Sequence, residues 1–444
     1  MNAASVEELK AAACAEIDRR GDEAVRVAKI LLDSPEPGFR EQRSSKTVAE
    51  SFRRLGIPFE DGIAMTGLKG MLKGGASGPT VAVMGELDSL IVQGHPHSDP
   101  STSAAHACGH HCQIGSMLAV AIGLRAPGVM AGLSGRVALI AAPAEEYIEI
   151  EYRDGLRRAG GIEFLGGKPE FIRLGHLDDV DMAMMTHTIA SPRDAKFAVG
   201  GTNNGLVAKL IKFIGRAAHA GAAPHAGVNA LNAAMIALSA IHAQRETYRD
   251  EDTVRVHPII TRGGVAVSSV PADVRMETFV RARTVEAFTA TSRRVDRAMR
   301  AGAMAVGGGV TITTLPGYLP IRNEPTLQGL HSSNAASLVG EPKVATLGHR
   351  TGSTDLGDVS QIMPVTHPYV VAASGNSHGA DYLIDDYELA VLTSAKAMAM
   401  TVIDLLADGA RRALEIKAGY RAPMTKSEYL SLMRGMAQEQ TFAE

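Results

Sequence analysis

"TVAVMGELDSL", residues 80–90, is a near-continuous apolar run that stops at two acids, Glu86 and Asp88. A run of this kind reads as a strand buried on both faces, as in the parallel sheets of α/β proteins. "GRVALIAAPAEE" (135–146) repeats the pattern and ends at Glu145 and Glu146, and "DVDMAMMTHT" (179–188) reads as a third such strand, ending at His187. The segments 41–55 and 115–124 have helical spacing. In open α/β sheets ligands bind beyond the carboxyl ends of the strands. Asp88, the glutamate pair and His187 are therefore expected to converge on one edge.

The rhythm changes at Phe197. "GLVAKLIKFIG", "VRVHPIIT", "VRMETFVRAR" and "GVTITTL" alternate like half-buried strands, and two helical stretches, 227–244 and 285–306, lie among them. The order strand, helix, strand, strand, helix, strand fits a ferredoxin-like layer. The expected architecture is an α/β catalytic domain with a mixed sheet (residues 1–196 and 318–444), interrupted by an α+β lid (197–317).

A chain of 444 residues exceeds one ordinary core, which suits two domains. A net charge of −3 gives no electrostatic reason to expect nucleic acid or an anionic membrane as a partner. Three cysteines, Cys14, Cys108 and Cys112, cannot form a disulfide framework. The first twenty residues read as an amphipathic helix rather than a signal peptide, and no apolar stretch approaches a membrane span. The expectation is a cytoplasmic protein acting on a small molecule.

"HACGHHCQIG" (106–115) crowds three histidines and two cysteines into seven positions. Cys108 and His110, two apart in an extended loop, can point the same way, and thiolate and imidazole suit a transition ion. A buried thiol in a polar loop and a nucleophilic Cys108 with a histidine base are the competing readings. "PAEE" (143–146) shifts the balance, because two adjacent carboxylates at a strand end are costly unless a positive charge sits beside them. One Glu can then bind the ion while the other takes a proton from water. His187 could equally be a core histidine, and His378, in "SGNSHGADYLIDD" (374–386), an exposed loop residue. His219 and His225 lie among small residues in "GRAAHAGAAPHAG" (215–227), and Asp99 in "GHPHSDP" (94–100) reads as part of a solvated loop.

"GELDSL", "HACGHH", "PAEE", "DVDMAMMTH", "GRAAHAGAAPHAGVNALNA", "VRARTVE", "GSTDLGDVS" and "SGNSHG" together resemble, in order, the metal-dependent family of aminoacylase, carboxypeptidase G and the auxin-conjugate amidohydrolases. Within it the branch of aminobenzoyl-glutamate utilization protein B is the most similar. The resemblance implies a zinc-peptidase-like catalytic domain split by a ferredoxin-like lid that forms a homodimer. It implies metal ligands Cys108, His110, Glu146, His187 and His378, with Glu145 as the general base and His219 reaching the site from the partner's lid. The cofactor is then one or two divalent transition ions, zinc or manganese before cobalt or nickel. Hydrolysis without a covalent intermediate needs a Lewis acid, a base and an oxyanion donor, and this set supplies all three. An inactive scaffold would have no need of Glu145.

Two departures from the family matter. His111 stands where relatives usually carry Asp or Asn, and the segment 147–176 is longer than the usual connection. Substrate transfer from the family is correspondingly weak. The expected substrate is a small aromatic carboxylate bearing a non-peptide carbon–nitrogen bond, of the aminobenzoyl-glutamate or N-acyl amino acid kind, which places the enzyme in aromatic-compound catabolism. The alternative is ring deamination of the 5-nitroanthranilate aminohydrolase type. Arg283, Arg350 and Arg322 are the candidate carboxylate anchors.

Overall fold

In the computed structural model, which describes residues 4–443, residues 80–86 lie at the centre of a six-stranded sheet. Val81 and Val83 of the strand Ala76–Glu86 face one apolar layer, and Ala82 and Met84 face another. In the neighbouring strand, Ser134–Ala142, Val137 and Leu139 face the first layer, Ala138 and Ile140 the second. Burial of both faces is why these runs are apolar throughout. The two strands are parallel, as are Ala76–Glu86 with Met182–Met184 and the latter with Val365–Thr366; Gly67–Lys73 and Phe59–Ile63 complete the sheet antiparallel.

The helices Val6–Arg20, Asp22–Leu32, His110–Leu124 and Ser394–Leu406 cover one face. His110–Leu124 is buried at every position, so a helix apolar nearly all round is the expected solution there. Glu388–Leu406 corrects the sequence expectation about membrane spans. It is long and apolar enough to cross a bilayer, but 78% of it is buried inside the protein, the place of a core helix. The short helices Gly167–Leu174 and Leu356–Val359, with Lys426–Met436, contribute to the opposite layer.

The lid has the expected element order: strand Gly205–Ile214, helix Ala230–His242, strands Arg255–Arg262 and Asp273–Ala282, helix Val285–Met304 and strand Gly309–Pro316. Its sheet is antiparallel, and Asp273–Ala282 buries every second residue, as a half-buried strand should. Three segments depart from the sequence reading. The polar C-terminal strand Gln438–Phe442, assigned to the catalytic part, pairs with Gly309–Pro316 at the lid's edge. Phe197–Gly200, taken as the start of the lid, pairs instead with Val344–Leu347 and Tyr369–Val371. The third run is broken: Met182–Met184 stays in the central sheet, while His187 begins a separate strand, His187–Ile189, beside Tyr369–Val371.

His331, on the helix Pro325–Val339, is fully buried against the Phe197 ring with neither ring nitrogen hydrogen-bonded. Burial lowers its pKa from 6.5 to about 4. It is therefore neutral in the fold and protonated in the unfolded chain between those values, so its contribution is intact above pH 6.5 and is lost as pH falls towards 4. We expect His331→Leu to lose about 2 kcal/mol less stability than the parent between pH 8 and pH 5, measured by urea unfolding. Equal losses would contradict this.

Candidate active site

The carboxyl ends of the two central strands meet at Asp88. Its Oδ1 lies 3.2 Å from His110 Nδ1, its backbone carbonyl 3.0 Å from the same nitrogen, and its Oδ2 accepts from the Glu146 N–H at 2.8 Å. The Nδ1 proton is thereby committed, and Nε2, 3.1 Å from Glu86 Oε2, is the nitrogen that can bind an ion once its own proton is lost. His187 is arranged alike, its Nδ1 donating to the Thr188 carbonyl at 2.7 Å, while its Nε2 sits 3.2 Å from Cys108 Sγ. Cys108 and His110 are brought together by a turn rather than the extended loop expected, for His110 is the first residue of its helix. Gly109 makes that turn with φ 88°, and a Cβ there would fall 2.0 Å from Thr188 Oγ1.

Glu146 Oε1 lies 3.8 Å from His110 Nε2 and 3.5 Å from His378 Nε2, and Glu145 Oε2 is 3.8 Å from His110 Nε2. Three overlapping groups each bring their ligand atoms within 4.8 Å of one another: Cys108, His110 and His187; Cys108, Glu146 and His378; Glu86, His110 and Glu145. Glu146 Oε1 and His110 Nε2 are buried without a hydrogen bond. Glu86 differs. Its Oε1 is engaged by Lys168 and its Oε2 accepts from Gln113 at 2.9 Å. A thiol, three imidazoles and a carboxylate with an unengaged buried oxygen fit a divalent transition ion.

Charge shapes the site. Burial, then Glu86, Glu146 and Asp355, drive the Glu145 carboxyl well above its usual range. Burial and then the charge of His110 lower His187 to about 4. Burial works against a charged His110, but Glu86 and the Cys108 sulfur outweigh it and hold that imidazole well above 6.5. Burial opposes the charge on Glu86 too, yet Lys168 and His110 prevail and hold it at about 2.

A cleft of about 400 Å³ opens above these donors. Tyr147, Phe279, Tyr318, Tyr369 and Tyr382 line it, four of the nine tyrosines in the chain. Arg350 reaches it as expected, its guanidinium 4.5 Å from the Tyr369 ring centroid. Arg283 does not line it; it follows the end of its strand, its backbone N–H donating to the Asp252 carbonyl. Arg281, two residues earlier and not singled out from sequence, takes that place, with Nη1 3.2 Å from Ser353 Oγ. Arg322 lines a separate surface hollow with Tyr420. His219 is exposed and lies outside the cleft of its own chain. His111 faces away from the donor cluster, its Nε2 3.1 Å from Tyr387 Oη, in a hollow shared with His106. Asp99 caps its own loop by accepting from Ser101 and Thr102.

A mixed α/β sheet carrying thiol, imidazole and carboxylate groups at its strand ends beneath an α+β lid is the architecture of a metal-dependent hydrolase. Residues 202–305 match the peptidase dimerisation domain family. The chain is 27% identical to the Xaa-Arg dipeptidase of Mus musculus, with 94% of each chain covered. Among solved structures it is similar to a dinuclear metal-binding peptidase of the M20 family from Bacillus subtilis (TM-score 0.63, 20% identity, 87% of this chain and 98% of that one). It is also similar to an aminobenzoyl-glutamate utilization protein from Klebsiella pneumoniae (TM-score 0.65, 17% identity, 88% and 96%). Over most of its length the chain is thus similar to metal-dependent amidohydrolases and peptidases, and residues 202–305 match their dimerisation domain.

Lys168, also unforeseen from sequence, is fully buried and bridges Glu86 and Asp355 beneath the donors. Removing one partner of a buried ion pair leaves uncompensated charge, at a cost of about 3–5 kcal/mol. Lys168→Met should lower unfolding stability by about that amount in denaturant titration. A loss below about 1 kcal/mol would show that the bridge is dispensable.

Proposed function

We propose that the protein hydrolyses a non-peptide carbon–nitrogen bond in a small aromatic carboxylate, an aminobenzoyl-glutamate-like or other N-acyl amino acid amide. The observation that carries this reading is the presence of both Arg281 and Arg350 in the lining of an aromatic cleft that also holds the donor cluster. Guanidinium binds carboxylate in a planar fork. The cleft's acids, Glu145 and Glu146, lie at the donor cluster, so a cationic substrate side chain such as arginine would meet mainly like charge.

Cys108, His110, Glu146, His187 and His378 are the ligands in this reading. The donors suit zinc before manganese, with cobalt and nickel as further fits, as one ion or two. A bound ion supplies Lewis acidity and lowers the pKa of water. The residues do the remainder. Asp88 and the Thr188 carbonyl hold the ligand imidazoles in register. Glu145, set beside the ligands and largely shielded from solvent, takes the proton from the attacking water and passes it to the departing nitrogen. The two arginines fix the substrate carboxylate, and the tyrosine rings hold its aromatic part. His219 enters from the partner subunit of a homodimer and holds the developing negative charge.

The test is a panel of aminobenzoyl-glutamate, an auxin–amino acid conjugate, an Xaa-Arg dipeptide and 5-nitroanthranilate, scored for amino acid against ammonia. Amino acid release from the acyl conjugates is expected, abolished by chelator. Glu145→Gln should keep the metal and lose at least about a hundredfold in kcat. Arg281→Met and Arg350→Met should act mainly on KM, by about tenfold or more. Ammonia without amino acid would select ring deamination instead, and preference for the Xaa-Arg dipeptide would overturn the non-peptide, aromatic reading.

A further inference from the structure

Ala144, immediately before the glutamate pair, has φ 54°, a left-handed backbone that residues with a side chain seldom adopt. Two buried side chains from distant segments grip its peptide groups. Glu41 Oε1 accepts from the Ala144 N–H at 2.8 Å, and its Oε2 from Thr66 Oγ1 at 2.7 Å. Arg153 Nη1 donates to the Ala144 carbonyl at 3.2 Å and to the Leu165 carbonyl at 2.8 Å. Both side chains are fully buried.

Arg153 comes from the segment 147–176, where the sequence departs from its family. Among the described residues no carboxylate pairs with its guanidinium, Nε and Nη2 make no hydrogen bond, and beyond the two carbonyls its charge meets only the face of the Phe39 ring, 5.4 Å away. Burying a cation this way is costly, and a Leu or Met would serve plain helix packing better. Gly38 admits it: a Cβ there would fall 2.2 Å from Arg153 Nη2 and 2.8 Å from Ala144 Cα. An arginine buried at such cost, and reached through a glycine that leaves room for it, points to a role at the backbone it holds.

We propose that Glu41 and Arg153 are positioning residues that clamp Ala144 in its left-handed conformation and so aim the carboxylates of Glu145 and Glu146 at the ion. The next two side chains take their directions from this peptide, and relaxing φ at Ala144 would swing both away from His110 and His378. Neither clamp residue touches the reacting atoms. The proposal rests on the assignment of Glu145 and Glu146 above, and its test requires no knowledge of the substrate.

Cobalt(II) is titrated into metal-stripped full-length protein, followed by the Cys108 thiolate-to-cobalt absorption band. Arg153→Met should weaken cobalt affinity at least about tenfold while keeping a native circular dichroism spectrum. Adding Ala144→Gly should recover at least about threefold, because glycine takes positive φ without steric cost. A purely structural arginine would not be rescued by a glycine at position 144. Unchanged affinity in Arg153→Met, or a folded double variant without recovery, overturns the clamp. Should Arg153→Met fail to fold, Arg153→Lys decides: one carbonyl contact in place of two should weaken cobalt binding about threefold or more, and no change overturns the proposal. A parent protein without the band refutes the ligand assignment and the clamp together, whereas a normal parent with unaltered variants refutes the clamp alone.

Discussion

Asp88 is the joint on which the site turns. One carboxylate oxygen holds His110 and the other holds the backbone of Glu146, so a single buried side chain sets two proposed ligands from different strand ends against each other. That joint exists because Ala76–Glu86 and Ser134–Ala142 run parallel and side by side and stop level. The apolar character of the two strands is therefore also what places the chemistry.

Such convergence carries an electrostatic burden. Glu41, Glu86, Asp88, Glu145, Glu146 and Asp355 are all buried around this edge, against two buried cations, Lys168 and Arg153. Six carboxylates facing these two cations and the protonated His110 in low dielectric cannot all ionise without further positive charge. Lys168 balances Glu86 and Asp355, and the raised carboxyl of Glu145 shows where the deficit remains. A divalent cation held by the proposed ligands Glu146 and His110 would supply the missing charge and favour an ionised Glu145 beside it.

Much of this was legible in the residues. Apolar runs ending in acids located the central strands, and strict alternation located the lid strands, because both patterns follow directly from which faces are buried. The donor residues stood out because thiol, imidazole and carboxylate cluster at the ends of those runs. What escaped was whatever depends on contacts distant in sequence. Lys168 lies 82 positions from Glu86 and 187 from Asp355, inside the long connection 147–176. Strand alternation puts Arg281 and Arg283 on the same face but does not say where the strand ends, so Arg283, outside the cleft, was favoured over Arg281 within it. The terminal strand Gln438–Phe442 is polar because it lies at the lid's edge, which leaves no apolar signal to find. His187 was assigned to the end of a strand because the break at residues 185–186 leaves no mark on the composition.

The central claim is that Cys108, His110, Glu146, His187 and His378 hold a divalent ion in the cleft. Anomalous diffraction, recorded at the absorption edge of the metal found by elemental analysis in protein purified without added metal, tests it most directly. The predicted result is an anomalous peak within bonding distance of Glu146 and of at least two of the other four residues. A fully active, metal-free protein, or a peak bound elsewhere with these side chains unengaged, would contradict it.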